Sequence, residues 1–109
     1  ANRLGEVGRR AEGLAAAEEA VDLYRELVTL NRDAHLPDLA MSVNNLAVAL
    51  GEAGRRAECM AAAEEAVNLY RELAANEPSL YAEHLARVQQ IKSAVEDLLP
   101  TQSSPHGQA

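Results

Sequence analysis

The chain repeats itself. Leu4–Leu27 reads LGEVGRRAEGLAAAEEAVDLYREL and Leu50–Leu73 reads LGEAGRRAECMAAAEEAVNLYREL, identical at 20 of 24 positions at an offset of 46 residues. The four differences are Val7/Ala53, Gly13/Cys59, Leu14/Met60 and Asp22/Asn68. Self-similarity at a fixed period of a few tens of residues marks an array of supersecondary units. One such unit cannot bury its apolar face alone, so neighbours must stack to make a core.

The unit is helical. Leu14, Ala17, Val21, Tyr24 and Val28 recur at spacings of three and four, one stripe of an α-helix, and Met60, Ala63, Val67, Tyr70 and Ala74 repeat that stripe. A second apolar face, Ala20, Leu23, Leu27 and Leu30, calls for a helix sandwiched between two neighbours. Gly8 and Gly54 fall where one apolar pattern stops and the next starts, the place for a left-handed residue that ends a helix. Pro37 suits the first turn of a helix with the stripe Leu39, Val43, Leu46, Ala47 and Leu50. Asn76-Glu77-Pro78 ends the second long helix, because a residue before proline resists the α conformation. A last helix carries Leu85, Val88, Ile91, Val95 and Leu98 before Pro100 stops it. The expected helices therefore span about residues 1–7, 9–30, 37–52, 55–75 and 79–98, in one domain of residues 1–99, with a flexible polar tail at 100–109.

Composition agrees. Twenty-two alanines and fifteen leucines, with no Phe or Trp, favour helices over strands. Ten Lys and Arg against seventeen Asp and Glu leave a net charge of −7, which repels phosphate and argues against a nucleic-acid partner. No apolar run is long enough to span a bilayer, and no signal-peptide pattern opens the chain. The single cysteine cannot form an intrachain disulfide, so a reducing, cytoplasmic compartment is expected.

The ends of the repetition differ. The stripe of the last helix matches the earlier one at 45 rather than 46 residues, and Gln89, Gln90 and Lys92 make it polar, as befits a terminal capping helix. Ala1–Gly8 corresponds to Ala47–Gly54, the back half of a short helix, so the chain is expected to start within a helix of a longer array. An open apolar end should make the isolated chain self-associate, as a homodimer or larger.

These residues resemble the tetratricopeptide repeat, in the long kinesin-light-chain-like variety of bacterial multidomain proteins. The family pattern falls on Leu46, Ala47 and Leu50 in the first helix of the pair, Gly54 at the turn, and Cys59, Ala63 and Ala66 in the second helix. LPDLAMSVNNLA (Leu36–Ala47) and EEAVNLYRELA (Glu64–Ala74) look like the bacterial form, although 46 residues exceed the family's usual period. The resemblance covers roughly Arg3 to Leu99. It implies an all-α, right-handed α-solenoid of antiparallel helix pairs, about two repeats plus a C-terminal capping helix. It further implies a non-enzymatic scaffold or adaptor that presents a concave groove to a peptide or protein. Arrays of this kind also serve as spacers, or as regulatory appendages of signalling ATPase-like or protease-like domains.

Chemistry is sparse. His35, His84 and His106 show no metal-site spacing and read as solvated surface residues. Cys59 reads as a packing residue where two helices touch, and Glu18-Glu19 and Glu64-Glu65 as solvated faces. Neither a cofactor nor a catalytic set is indicated. Arg9-Arg10 and Arg55-Arg56 solvate the turns or meet an acidic partner. The candidate binding surface is the inner face of the 37–52 helix: Met41, Asn44, Asn45 and Val48, with Arg87 and Gln90 from the last helix. An amide both donates and accepts, so Asn44 and Asn45 suit the backbone of an extended peptide. By resemblance, Asn45 matches the asparagine that helps hold a terminal carboxylate in chaperone-tail-binding members. Those members also use basic residues on flanking helices; here Gln90 stands at one such place and Arg87 lies out of register.

Overall fold

In the computed structural model, which describes the backbone of residues 3–98 and the side chains of 8–97, the described residues are helical apart from three short connections. Four helices follow one another: α1 (Arg3–Leu30), α2 (Arg32–Glu52), α3 (Arg56–Asn76) and α4 (Pro78–Leu98). Each packs on the next in the chain, α1 on α2, α2 on α3 and α3 on α4, within a slab of 43 × 41 × 23 Å. The fold is all-α with sequential helix packing.

The core lies at the middle of this succession. Among the described residues, apart from Val21 of α1 and Val88 of α4, every buried apolar residue belongs to α2 or α3. Ala40, Val43 and Ala47 of α2 and Ala66 of α3 are wholly inaccessible, and three of these four are alanines. Small side chains let two helix backbones approach closely, which is how an alanine-rich chain without Phe or Trp makes a dense interior. Of the stripe expected for the last helix, Val88 is buried in this core, Leu85 and Val95 pack against it, and Ile91 is half-buried.

Three connections set the geometry. Between α2 and α3, Gly54 takes φ 79°, with its N–H donating to Gly51 O at 3.1 Å and that of Arg55 to Leu50 O at 2.9 Å. This is the expected left-handed stop. Asn31 separates α1 from α2 and caps α2 by accepting from the Ala34 N–H at 3.2 Å. Glu77 holds the extended φ −138°, ψ 75° that the following Pro78 demands, and Pro78 itself opens α4.

Two boundaries correct the sequence reading. The expected 1–7 and 9–30 helices are one helix, α1, which runs through Gly8 without a turn. Gly54 is the only described glycine with a positive φ. The same residues around Gly8 and Gly54 thus adopt two conformations. At Gly54 the chain turns, and Ala47 and Leu50 on one side and Cys59 on the other are buried together. Glycine permits both paths, and at Gly8 the backbone keeps its helical hydrogen bonds. The second correction concerns the 37–52 helix, which starts at Arg32 and holds Pro37 inside it. The Asn31 cap starts it early, and only the carbonyl of exposed Asp33 loses its helical partner to the proline. The expected tail at 100–109, with His106, lies outside the described residues, as do Ala1, Asn2 and Leu99.

Candidate functional site

Asp38, Met41 and Asn44 stand three residues apart on α2 and so share one side of the helix. Tyr81, His84 and Arg87 have the same spacing on α4. Packing of α2 and α4 on either side of α3 brings the two rows face to face. Together with Pro37 and Tyr70 of α3, they line a cleft of about 380 Å³.

The floor of this cleft is aromatic. The Tyr70 ring stacks on His84 with centroids 5.7 Å apart and planes at 18°, while Tyr81 lies 5.9 Å from His84 and 6.5 Å from Tyr70 in tilted contacts. Tyr70 is only 5% exposed, so it anchors the cluster in the core. His84 and Arg87 are exposed at the mouth, Asn44 is half-buried, and Met41 is 50% exposed. Burial raises the Tyr70 phenol above its ordinary range, and Tyr81 adds to that; the Arg87 cation pulls it partly back. At neutral pH the cleft therefore offers a neutral phenol. Asp38 and Arg87 supply one charge of each sign at its edge.

The six candidate residues do not form one site. Met41, Asn44 and Arg87 share the cleft. Asn45 and Val48 line a different recess of about 330 Å³, facing Arg9, Arg10, Gly13, Leu14 and Ala17 of α1. The cause is helix geometry, since adjacent residues diverge by about 100° and Asn44 and Asn45 cannot face one ligand together. Gln90 lies on the side of α4 turned away from α3, among Ala86, Gln89, Ser93, Ala94 and Asp97. Tyr70, Tyr81, His84, Asp38 and Pro37 were not among the candidates. The threefold spacing of Tyr81, His84 and Arg87 beside the apolar stripe was the signal that could have found three of the lining residues.

Several charged groups are engaged structurally. Arg25 makes a double hydrogen bond to Glu65, and Arg32 another to Glu72, tying α1 and the start of α2 to α3. Arg55 chelates Glu58 at 2.6 and 2.8 Å and reaches Glu18 of α1 at 4.0 Å. The Arg55 guanidinium holds the Glu58 carboxyl below its ordinary range, as Arg32 does for Glu72. Cys59 is buried, and burial pushes its thiol up, away from the thiolate a nucleophile needs. Among the described residues, no three His, Cys, Asp or Glu side chains gather to hold a metal ion, and no helix is long and apolar enough to cross a membrane.

Comparison with protein-family models, with curated proteins and with solved structures finds no match to this chain.

Proposed function

We propose that the chain is a non-enzymatic interaction module of the tetratricopeptide-repeat type, a right-handed solenoid of about two helix pairs with α4 as its cap. Its concave side takes an extended peptide in the cleft between α2 and α4. The observation that carries this reading is the cleft itself, an aromatic floor flanked by an amide and by one charge of each sign. Tyrosine and histidine rings offer a peptide side chain a rigid apolar surface at little entropic cost. Asn44 can donate to a backbone carbonyl and accept from a backbone N–H at the same time. Arg87 and Asp38 fix the peptide's direction by their opposite charges. All these groups stand on helices, and Tyr70 is locked by burial, so the surface is preorganised. The 46-residue repetition and the sequential packing support the repeat assignment.

The test is affinity capture from a host lysate with the wild-type chain and with an Asn44→Ala/Arg87→Ala variant, both shown to melt cooperatively. Both substitutions remove side chains at the cleft mouth and leave the core intact. A protein retained by the wild type and lost by the variant identifies the ligand of the cleft. Equal retention by both moves the binding surface elsewhere.

A further inference from the structure

We infer that the occupant of the α2–α4 cleft is a proline-rich segment wound as a polyproline II helix, one of whose backbone carbonyls accepts from the Tyr70 hydroxyl. The inference rests on the reading of the cleft as a peptide site and names the chemistry of its ligand. Tyr70 carries it. The residue is 5% exposed and lines the cleft, yet among the described residues its hydroxyl makes no hydrogen bond. Arg87 and Tyr81, which line the same cleft, are the groups whose charge its phenol feels, and this places the hydroxyl on the cleft side of the ring. A buried phenol in a folded protein normally finds an acceptor. Here the ligand supplies it.

Spacing and chemistry select the ligand's conformation. Helices α2 and α4 each reach α3 through a short connection and pack along it, so both run opposite to α3 and parallel to each other. Asp38 and Tyr81 thus lie toward one end of the cleft, Asn44 and Arg87 toward the other. Each row spans six residues from end to end, about 9 Å at the rise of an α-helix. One turn of polyproline II, three residues, also advances about 9 Å, so its residues i and i+3 meet the two ends on the same side. A β-strand presents a side chain to one face about every 7 Å and falls out of step. An α-helix holds its carbonyls in its own hydrogen bonds, whereas polyproline II leaves all of them free for a donor such as Tyr70. Proline rings also lie on aromatic floors of the kind that Tyr70, Tyr81 and His84 form. Charge sets the flanks: a basic side chain of the segment faces Asp38, and an acidic one three residues away faces Arg87.

The probe is the fluorescein-labelled peptide Pro-Pro-Lys-Pro-Pro-Glu-Pro-Pro, titrated by anisotropy into the full 109-residue chain beside a counterpart with glycine at every proline. Half-saturation below about 500 µM is expected, at a concentration at least about tenfold lower than for the glycine peptide. Tyr70→Phe keeps the ring and should weaken binding about three- to tenfold. The Tm of the free Tyr70→Phe chain should stay level or rise, because the hydroxyl it loses has no partner. Asn44→Ala/Arg87→Ala, at the cleft mouth, should abolish binding. Equal binding of the glycine peptide, lost in the mouth variant, would overturn the polyproline ligand and leave the cleft a peptide site. Unchanged affinity in Tyr70→Phe, or a Tm below that of the wild type, would overturn the role of the hydroxyl and the proposal with it. No binding of the proline peptide at about 1 mM would also overturn it, and the lysate capture would then decide on the cleft by itself. Binding that survives in Asn44→Ala/Arg87→Ala would overturn both readings.

Discussion

Gly8 and Gly54 occupy equivalent places in the repeat, and replacing each by alanine should change stability in opposite directions. Gly54 sits at φ 79°, a conformation in which an L side chain crowds the neighbouring carbonyl. The cost of alanine there is about 1–2 kcal/mol. No neighbour lies within 4 Å of a Cβ at Gly54, so the whole effect is backbone strain with no clash added. Gly8 lies inside α1 at a negative φ, again with nothing near its Cβ. Alanine there gains helix propensity and lowers the entropy of the unfolded chain, for a gain of up to about 1 kcal/mol, reduced by fraying because the site is close to the helix start. In a domain of this size about 1 kcal/mol moves the Tm by roughly 4–8 °C. Thermal and urea melts of the two single variants should therefore bracket the wild type, Gly8→Ala above and Gly54→Ala below. If both variants were destabilised by similar amounts, Gly8 would be making the same left-handed turn as Gly54, and the account of α1 as one continuous helix would fall.

Other outcomes follow from packing and charge. Val43→Ala, at a site with no solvent access, should cost about 2 kcal/mol in a urea titration, whereas Leu23→Ala, on a side chain 54% exposed, should stay within about 0.5 kcal/mol. A double-mutant cycle on Arg25 and Glu65, whose side chains are 47% and 35% exposed, should return less than about 1 kcal/mol of coupling and shrink in high salt. The pH dependence has a definite sign. Arg32 depresses the Glu72 carboxyl below its ordinary value of 4.5, so the stability this pair adds is present above that pH and is lost as the pH falls through the lowered value. Glu72→Gln should thus flatten the acid limb of a Tm-versus-pH curve below pH 4.5 and leave the slope near neutrality unchanged.

The amphipathic stripes made most of the fold legible before any coordinates. Val21, Ala63, Val67 and Val88 stand on the expected stripes and are buried. Gly54 and Pro78 stop and start helices where their backbone constraints require. Two boundaries differ because local chemistry permits more than one outcome. The segment around Gly8 carries the same turn residues as that around Gly54 yet continues as helix, since glycine allows the turn without imposing it. Pro37 suits a helix start, but Asn31 six residues earlier is a good capping residue and starts the helix there. The site was half legible. Amide and thioether groups on α2 marked the right helix, but residue type alone put Asn44 and Asn45 together, which the turn of the helix forbids. The aromatic floor is not legible in the sequence because Tyr70 stands on the core stripe and His84 reads as solvated. Both descriptions hold, Tyr70 being buried and His84 exposed, and the two rings stack on one another in the cleft.

The central claim, that the cleft between α2 and α4 receives a peptide, is tested most directly by titrating isotopically labelled protein with the peptide segment of the captured ligand and following backbone amide shifts residue by residue. The account predicts saturable shifts concentrated at Asp38–Asn44 and Tyr81–Arg87, abolished together by Asn44→Ala/Arg87→Ala and untouched by Gln90→Ala on the outer side of α4. Shifts confined to Gln89–Asp97 on that outer side, or to the exposed face of α1, would contradict it.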